Sequence, residues 1–123
     1  KLHTKRIGHG VRCVEDLELV SYLSENDYHL EISLTSNIKT RTYKTFEEHP
    51  LNKIYNSSIS ISLNTDGRTI SNTDLSLEYK IAEEKFGWTI DKIKKCNLEA
   101  VKHSFTSSSN KSKLIEKIIN FNY

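Results

Sequence analysis

SISISLNTDG, residues 58–67, decides the fold, and its last two residues admit two readings. Ile59, Ile61 and Leu63 fall on one side of an alternating run, while Ser60, Ser62 and Asn64 share the other side and the parity of Asp66. Period two predicts a strand over 58–64. Asp66-Gly67 is by itself a hairpin signal, which would send the chain straight into an antiparallel partner. The residues that follow argue against the hairpin. Leu75, Tyr79, Ala82 and Phe86 recur at spacings of three and four up to Gly87, so the strand is followed by a helix.

Working outward, the same grammar repeats. Downstream, Thr89 opens a further helix with Ile90, Ile93 and Lys94, a second helical piece runs through Leu98, Val101 and Phe105, and 113–121 closes the chain after a loop at 107–110. Upstream, YHLEISL (28–34) alternates, with Tyr28, Leu30, Ile32 and Leu34 on one side and His29, Glu31 and Ser33 on a polar face. Thr35, Ser36 and Asn37 read as a polar loop after it, and 46–55 as a short helix that tolerates Pro50 only in its first turn. KRIGHG (5–10) reads as a strand ending in a glycine-flanked turn, followed by a helix over 14–23 that faces the core through Leu17, Val20 and Leu23. Strand, helix, strand, helix, strand, helices is the order of a parallel α/β sheet with crossover connections. Three such units are three-eighths of a (β/α)8 barrel, which takes roughly 250 residues when complete.

Composition narrows the class. The 123 residues allow one domain. Eighteen Lys and Arg against sixteen Asp and Glu leave a formal charge of +2, interspersed along the chain, so neither a nucleic-acid footprint nor a membrane surface is expected. No apolar run approaches the roughly 18 residues of a membrane span. Cys13 and Cys96 stand far apart with no C-x-x-C, which suits a reducing, cytoplasmic setting rather than a disulfide framework or redox centre. The sequence contains no methionine. The expectation is therefore a single incomplete domain over 1–123, the last three strands of a TIM-type barrel plus carboxyl-terminal helices. Its polar inward face of His29, Glu31, Ser60, Ser62 and Asn64 would lack an opposite wall, so folding alone should be marginal.

Reactive groups in parallel α/β barrels sit at the carboxyl ends of strands, where the loops converge. His9, His29 and Asp66 lie in or just after the three strands. Imidazole and carboxylate are both zinc ligands, and a catalytic zinc keeps a water whose pKa falls to about 7. The wording of the sequence goes further. RIGHG (6–10), HLEISLTSN (29–37) and SLNTDGRTISNT (62–73) occur in that order, with EHPL (48–51) and EYKIAEEKFGWT (78–89) between and after. In these motifs the chain resembles the carboxyl-terminal part of adenosine deaminases, the bacterial form most.

The resemblance implies a zinc-dependent barrel that adds water to C6 of adenosine or 2'-deoxyadenosine and releases inosine and ammonia in purine salvage. By motif, it implies His9 as a zinc ligand, His29 as the histidine that orients and deprotonates the zinc-bound water, and Asp66 as the ligand carboxylate. It implies substrate contact at Gly67, where many members carry a second Asp or an Asn that reaches purine N7. Ser33 and Leu34 stand where the family reads Cys-Pro. The family's His-x-His pair and its His-Ala-Gly-Glu segment do not occur in the chain. The purine site therefore needs an amino-terminal half of the barrel, and the chain alone is expected to be inactive. His3, His49 and His103 lie outside the matching motifs, and His49 and His103 read as helix-surface or packing residues. Two other readings follow from the same departures: a related adenine deaminase, favoured by Gly67, and a non-catalytic remnant that pairs through an open sheet edge.

Overall fold

A computed structural model describes residues 4–121, so His3 lies outside the described residues. Three short strands, β1 (Arg6–Gly8), β2 (His29–Ile32) and β3 (Ser60–Leu63), form one parallel sheet in the order β1-β2-β3. Arg6 lies level with His29 and His29 with Ser60, so each strand joins its neighbour through a helical crossover, and Asp66-Gly67 closes no hairpin. Leu30, Ile32, Ile61 and Leu63 are buried, as the alternation requires.

The helices depart from the expected boundaries in instructive ways. The expected helix over 14–23 is a short 3-10 segment, Val11–Glu15, followed by α1 (Leu17–Glu25). Asp16 separates the two because its carboxylate accepts from the amides of Glu18 and Leu19, capping α1. Leu23 is buried, but Leu17 is 71% exposed, so α1 meets the core through its second half only. The expected polar loop at 35–37 is instead α2 (Leu34–Lys39). Its Ser33 cap gives no side-chain hydrogen bond; the buried carboxylate of Glu78 accepts from the amides of Leu34 and Thr35 at 2.8 and 3.3 Å. A charge at the free N–H groups of a helix start satisfies them and complements the dipole.

The expected helix over 46–55 begins only at Leu51, as α3 (Leu51–Asn56), with Pro50 as its cap and turns before it. A short α4 (Arg68–Ser71), which the alternating pattern did not announce, follows Gly67. Asp74 caps α5 (Leu75–Phe86) through the Leu77 amide, and Gly87 ends it with φ of 66°. The two expected pieces after Thr89 are one continuous helix, α6 (Ile90–Lys102), beyond which Phe105 is 87% exposed. Residues expected in a loop open α7 (Ser108–Asn120), where Ser107 accepts from the Asn110 amide.

The core lies between the apolar side of the sheet and the helices, with Leu51, Ile54 and Ala82 fully buried. Trp88 joins it and donates its indole N–H to Asn52. The polar face also gains a partial wall that the sequence did not announce. The carboxyl end of α6 and the residues after it cross all three strands at their amino-terminal ends: Glu99 accepts from Ser60, His103 stacks on His29, and Phe105 lies under the Arg6 guanidinium. Among the described residues no helix is long and apolar enough to cross a membrane.

Candidate active site

Beyond the carboxyl ends of the strands the chain turns sharply, and two of the expected site residues meet there. His9 and Asp66 both take left-handed backbone conformations, φ 57° and 55°. The neighbouring Gly10 must be glycine: its φ is 66°, and an added Cβ would come within 2.8 Å of Leu30 Cδ2. His9 Nε2 stands 3.7 Å from Asp66 Oδ2, too far for a hydrogen bond but close enough for one oxygen to touch both. Both side chains are partly exposed, at 40% and 48%. They border a cleft of about 240 Å³ lined by Gly8, His9, Glu31, Ser33, Asn64 and Asp66, over the open part of the polar face.

Helix α2 grips this pair from the middle strand. Ser36 donates its hydroxyl to Asp66 Oδ2 at 2.7 Å, and the Asn37 amide nitrogen lies 3.0 Å from His9 Nδ1. The Ser36 hydroxyl, then His9 and the Gly67 amide, hold the Asp66 carboxyl below the usual range against a desolvation cost, so it is a carboxylate at neutral pH. Asn37 Oδ1 faces His49 Nε2 at 3.1 Å. His49 is buried, edge-on to the rings of Tyr43 and Phe86, and burial alone pushes its pKa down to about 4. It packs, as expected, but it also reaches the site through Asn37.

His29 is not brought to this place. It is level with Arg6, three residues or about 10 Å below the level of His9 along the strands. Its two ring nitrogens are engaged by the hydroxyls of Ser60 and Ser62, at 2.8 and 3.0 Å, and its ring stacks on His103 at 4.6 Å. Burial, then the neighbouring His103 and Arg6, lower its pKa to about 4. A ring 1% exposed with both nitrogens occupied has no face to offer a water. Parity put His29 on the polar face, and it is there; the level along the strands was the part that alternation does not report.

Gly67 follows Asp66 at the rim with φ −69°, a conformation open to any residue, and an added Cβ would meet only Ile70 at ordinary contact distance. Cys13 and Cys96 are both free and buried, and burial pushes the Cys96 thiol up to about 12.

The adenosine deaminase family model matches residues 1–121. The chain belongs to the adenosine deaminase family. It is 37% identical to the adenosine deaminase of Aliivibrio fischeri over 116 residues, which are 94% of this chain and 35% of that protein. Among solved structures it superposes on an adenine deaminase from Arthrobacter aurescens with a TM-score of 0.92 at 22% identity, covering 96% of this chain and 36% of that one. An N6-methyl-AMP deaminase from Arabidopsis thaliana superposes with a TM-score of 0.82 at 28% identity, over 94% and 34%. The chain thus spans about a third of the length of the family members it matches.

That span limits what these residues do as a metal centre by themselves. Among the described residues no group of three or more His, Cys, Asp or Glu could hold a metal ion. A catalytic zinc takes three protein ligands and a water. The partly exposed Asp66 carboxylate, steadied by Ser36, fits one corner of such a site. Asn37 and His49 are the site residues that sequence reasoning missed. The TSN of the second motif was the available signal, but it read as loop because the group that caps α2, Glu78, lies far along the chain.

Proposed function

We propose that this chain is the carboxyl-terminal part of a (β/α)8 barrel, one incomplete domain, and that the completed barrel hydrolytically deaminates a 6-aminopurine, with adenosine as the first candidate. The observation that carries this reading is the meeting of His9 and Asp66 beyond the ends of β1 and β3, with α2 bonded to both. Water adds at C6, ammonia leaves, and the amino carbon becomes a carbonyl carbon. Asp66 accepts a hydrogen bond from the attacking water, and His9 Nε2 holds the same oxygen from the other side, so a lone pair is left to face C6. This reading moves His9 from the expected zinc-ligand role to the water-orienting role first expected of His29, and the support is the occupied, buried ring of His29 against the open ring of His9.

The zinc implied by the family would take Asp66 as one ligand, with the others from outside the described residues, and it would supply a Lewis acid that acidifies a water. Gly67 offers the purine backbone only, which keeps adenine and N6-substituted nucleotides in play beside adenosine; the named substrates of the two structural relatives lie in the same class.

The test is a chimera in which this chain replaces the matching third of the Aliivibrio fischeri adenosine deaminase. Adenosine, adenine and N6-methyl-AMP are offered in turn, with Asp66→Ala beside the parent. Turnover of one of them, reduced by about 10³-fold or more in Asp66→Ala, is expected. A chimera that melts cooperatively and binds zinc yet deaminates none of the three would overturn the reading and return the non-catalytic alternative.

A further inference from the structure

The contact between α2 and His9 has a direction. A neutral imidazole carries one proton on one of two nitrogens, and the partner of the other nitrogen selects which. Asn37 presents its amide nitrogen, a donor only, to His9 Nδ1 at 3.0 Å, and its amide oxygen, an acceptor only, to His49 Nε2 at 3.1 Å. Amide orientation follows from the surrounding network, and here the network has one satisfactory solution. His49 is 4% exposed, and its Nδ1 is buried with no hydrogen-bond partner. With the proton on His49 Nε2, the unpartnered Nδ1 is a bare lone pair. Rotating the Asn37 amide by half a turn would make Nε2 the acceptor and strand an N–H at that same position, and a buried N–H without a partner is the costlier orphan. The buried ring therefore orients the amide, and the amide leaves His9 Nδ1 as an acceptor.

We propose that Asn37, oriented by His49, is a positioning residue that fixes the proton of neutral His9 on Nε2, the nitrogen facing Asp66. The inference deepens the functional reading above and rests on it: His9 meets the attacking water as a hydrogen-bond donor to its oxygen, and Asp66 meets it as the acceptor. Two acceptors at that place would take both of the water's hydrogens and leave both lone pairs free. One donor and one acceptor engage one lone pair and one hydrogen, so a single lone pair is left to face C6. The lock is built into the fold rather than into the site, since Glu78 anchors the start of α2 and the backbone carbonyl of Asn37 accepts from the Thr42 and Tyr43 amides.

The tautomer can be read directly. With the imidazoles of the chimera labelled with ¹⁵N, a long-range ¹H–¹⁵N correlation spectrum taken above neutral pH shows which nitrogen of His9 is protonated; the His9→Gln variant assigns its signals. The parent is expected to carry the proton on Nε2. Asn37→Asp, the same size with an acceptor on both sides, is expected to move it to Nδ1. His49→Phe, which leaves Asn37 in place but unguided, is expected to give a mixture. In the chimera, Asn37→Asp is expected to lower kcat by about tenfold or more while KM stays within about twofold, which a loosened fold would not do selectively. Protonation on Nδ1 in the parent, an even mixture there, or a proton unmoved by Asn37→Asp would overturn the proposal. The two readings separate cleanly. Correct tautomers in a chimera that deaminates nothing sink the function and leave the lock; deamination with an unmoved tautomer does the reverse.

Discussion

The two ends of the sheet put the same kinds of side chain to opposite uses. At the amino-terminal end, His29 and His103 stack, Ser60 reaches Glu99, and Arg6 pairs with Glu31. Both His29 nitrogens have partners, and α6 closes over them. At the carboxyl-terminal end, His9 and Asp66 stand apart by 3.7 Å, half in solvent, with one partner each fixed by α2. Histidine beside carboxylate is therefore uninformative as a composition. What separates a packing histidine from a working one is whether a nitrogen is left facing open space. A closed polar cluster contributes to holding strands in register, whereas an incompletely satisfied one retains the capacity to bind something else.

The sharpest way to break this comparison is to exchange the fates of His9 and His29. In the active chimera, His9→Gln should lower kcat by about 10³-fold while the melting midpoint moves little, because the ring is partly exposed and stores little packing energy. His29→Ala should do the converse. It removes a buried ring and leaves the Ser60 and Ser62 hydroxyls without it, costing about 3 kcal/mol of folding stability in urea titrations, with kcat of the folded fraction within about threefold. Loss of activity in His29→Ala at full folding would place a catalytic role at the closed end and collapse the distinction.

Acid should expose the closed groups next. His29 and His49 are both neutral in the fold, with pKa values held at about 4 against an ordinary 6.5. Their folded pKa values lie below the unfolded ones, so the unfolded chain binds more protons between the two. Stability from this source is complete above pH 6.5 and declines as pH falls toward 4, by up to about 3 kcal/mol for each ring. Urea unfolding followed from pH 7.5 to 4.5 should show this decline with uptake of about two protons, reduced to about one in His49→Phe. A flat profile through that window would mean that the rings are not held neutral.

How far the sequence reaches can be judged residue by residue. The Ile-Ser alternation at 59–62 predicts both the strand and its buried side, because a period of two leaves only one face for the apolar groups. The parallel order follows from the helical spacing after Gly67. His9 and Asp66 are legible as strand-end residues. What the sequence hides are interactions that span it. Glu78 starts α2 from the far side of β3, so 35–37 has no local helix signal; Asn37 bridges two histidines that lie 28 and 12 positions away. Height along a strand is hidden for a related reason. The face of His29 is set by its own neighbours, but its level is set by pairing with Arg6 and Ser60, which belong to other strands.

The smallest expected effect sits at the rim and sharpens the comparison from the open side. Gly67 adopts φ −69°, and a Cβ added there would meet Ile70 at 3.8 Å, so nothing in the backbone demands glycine, unlike at Gly10. Gly67→Asn should therefore change the unfolding free energy by less than about 0.5 kcal/mol. Its side chain would extend from the residue next to Asp66, beside the cleft that Asp66 lines, and would offer a donor to a ring nitrogen of the purine. In the chimera, KM for adenosine should fall by about threefold to tenfold while kcat is unchanged, since a contact made equally to substrate and transition state alters binding alone. An equal gain for adenine and for adenosine would assign the new contact to the base, and a gain for adenosine only would assign it to the ribose. No gain for either would mean that the purine edge faces away from Gly67, so that the specificity of this site is set on the side of the cleft that Asp66 does not border.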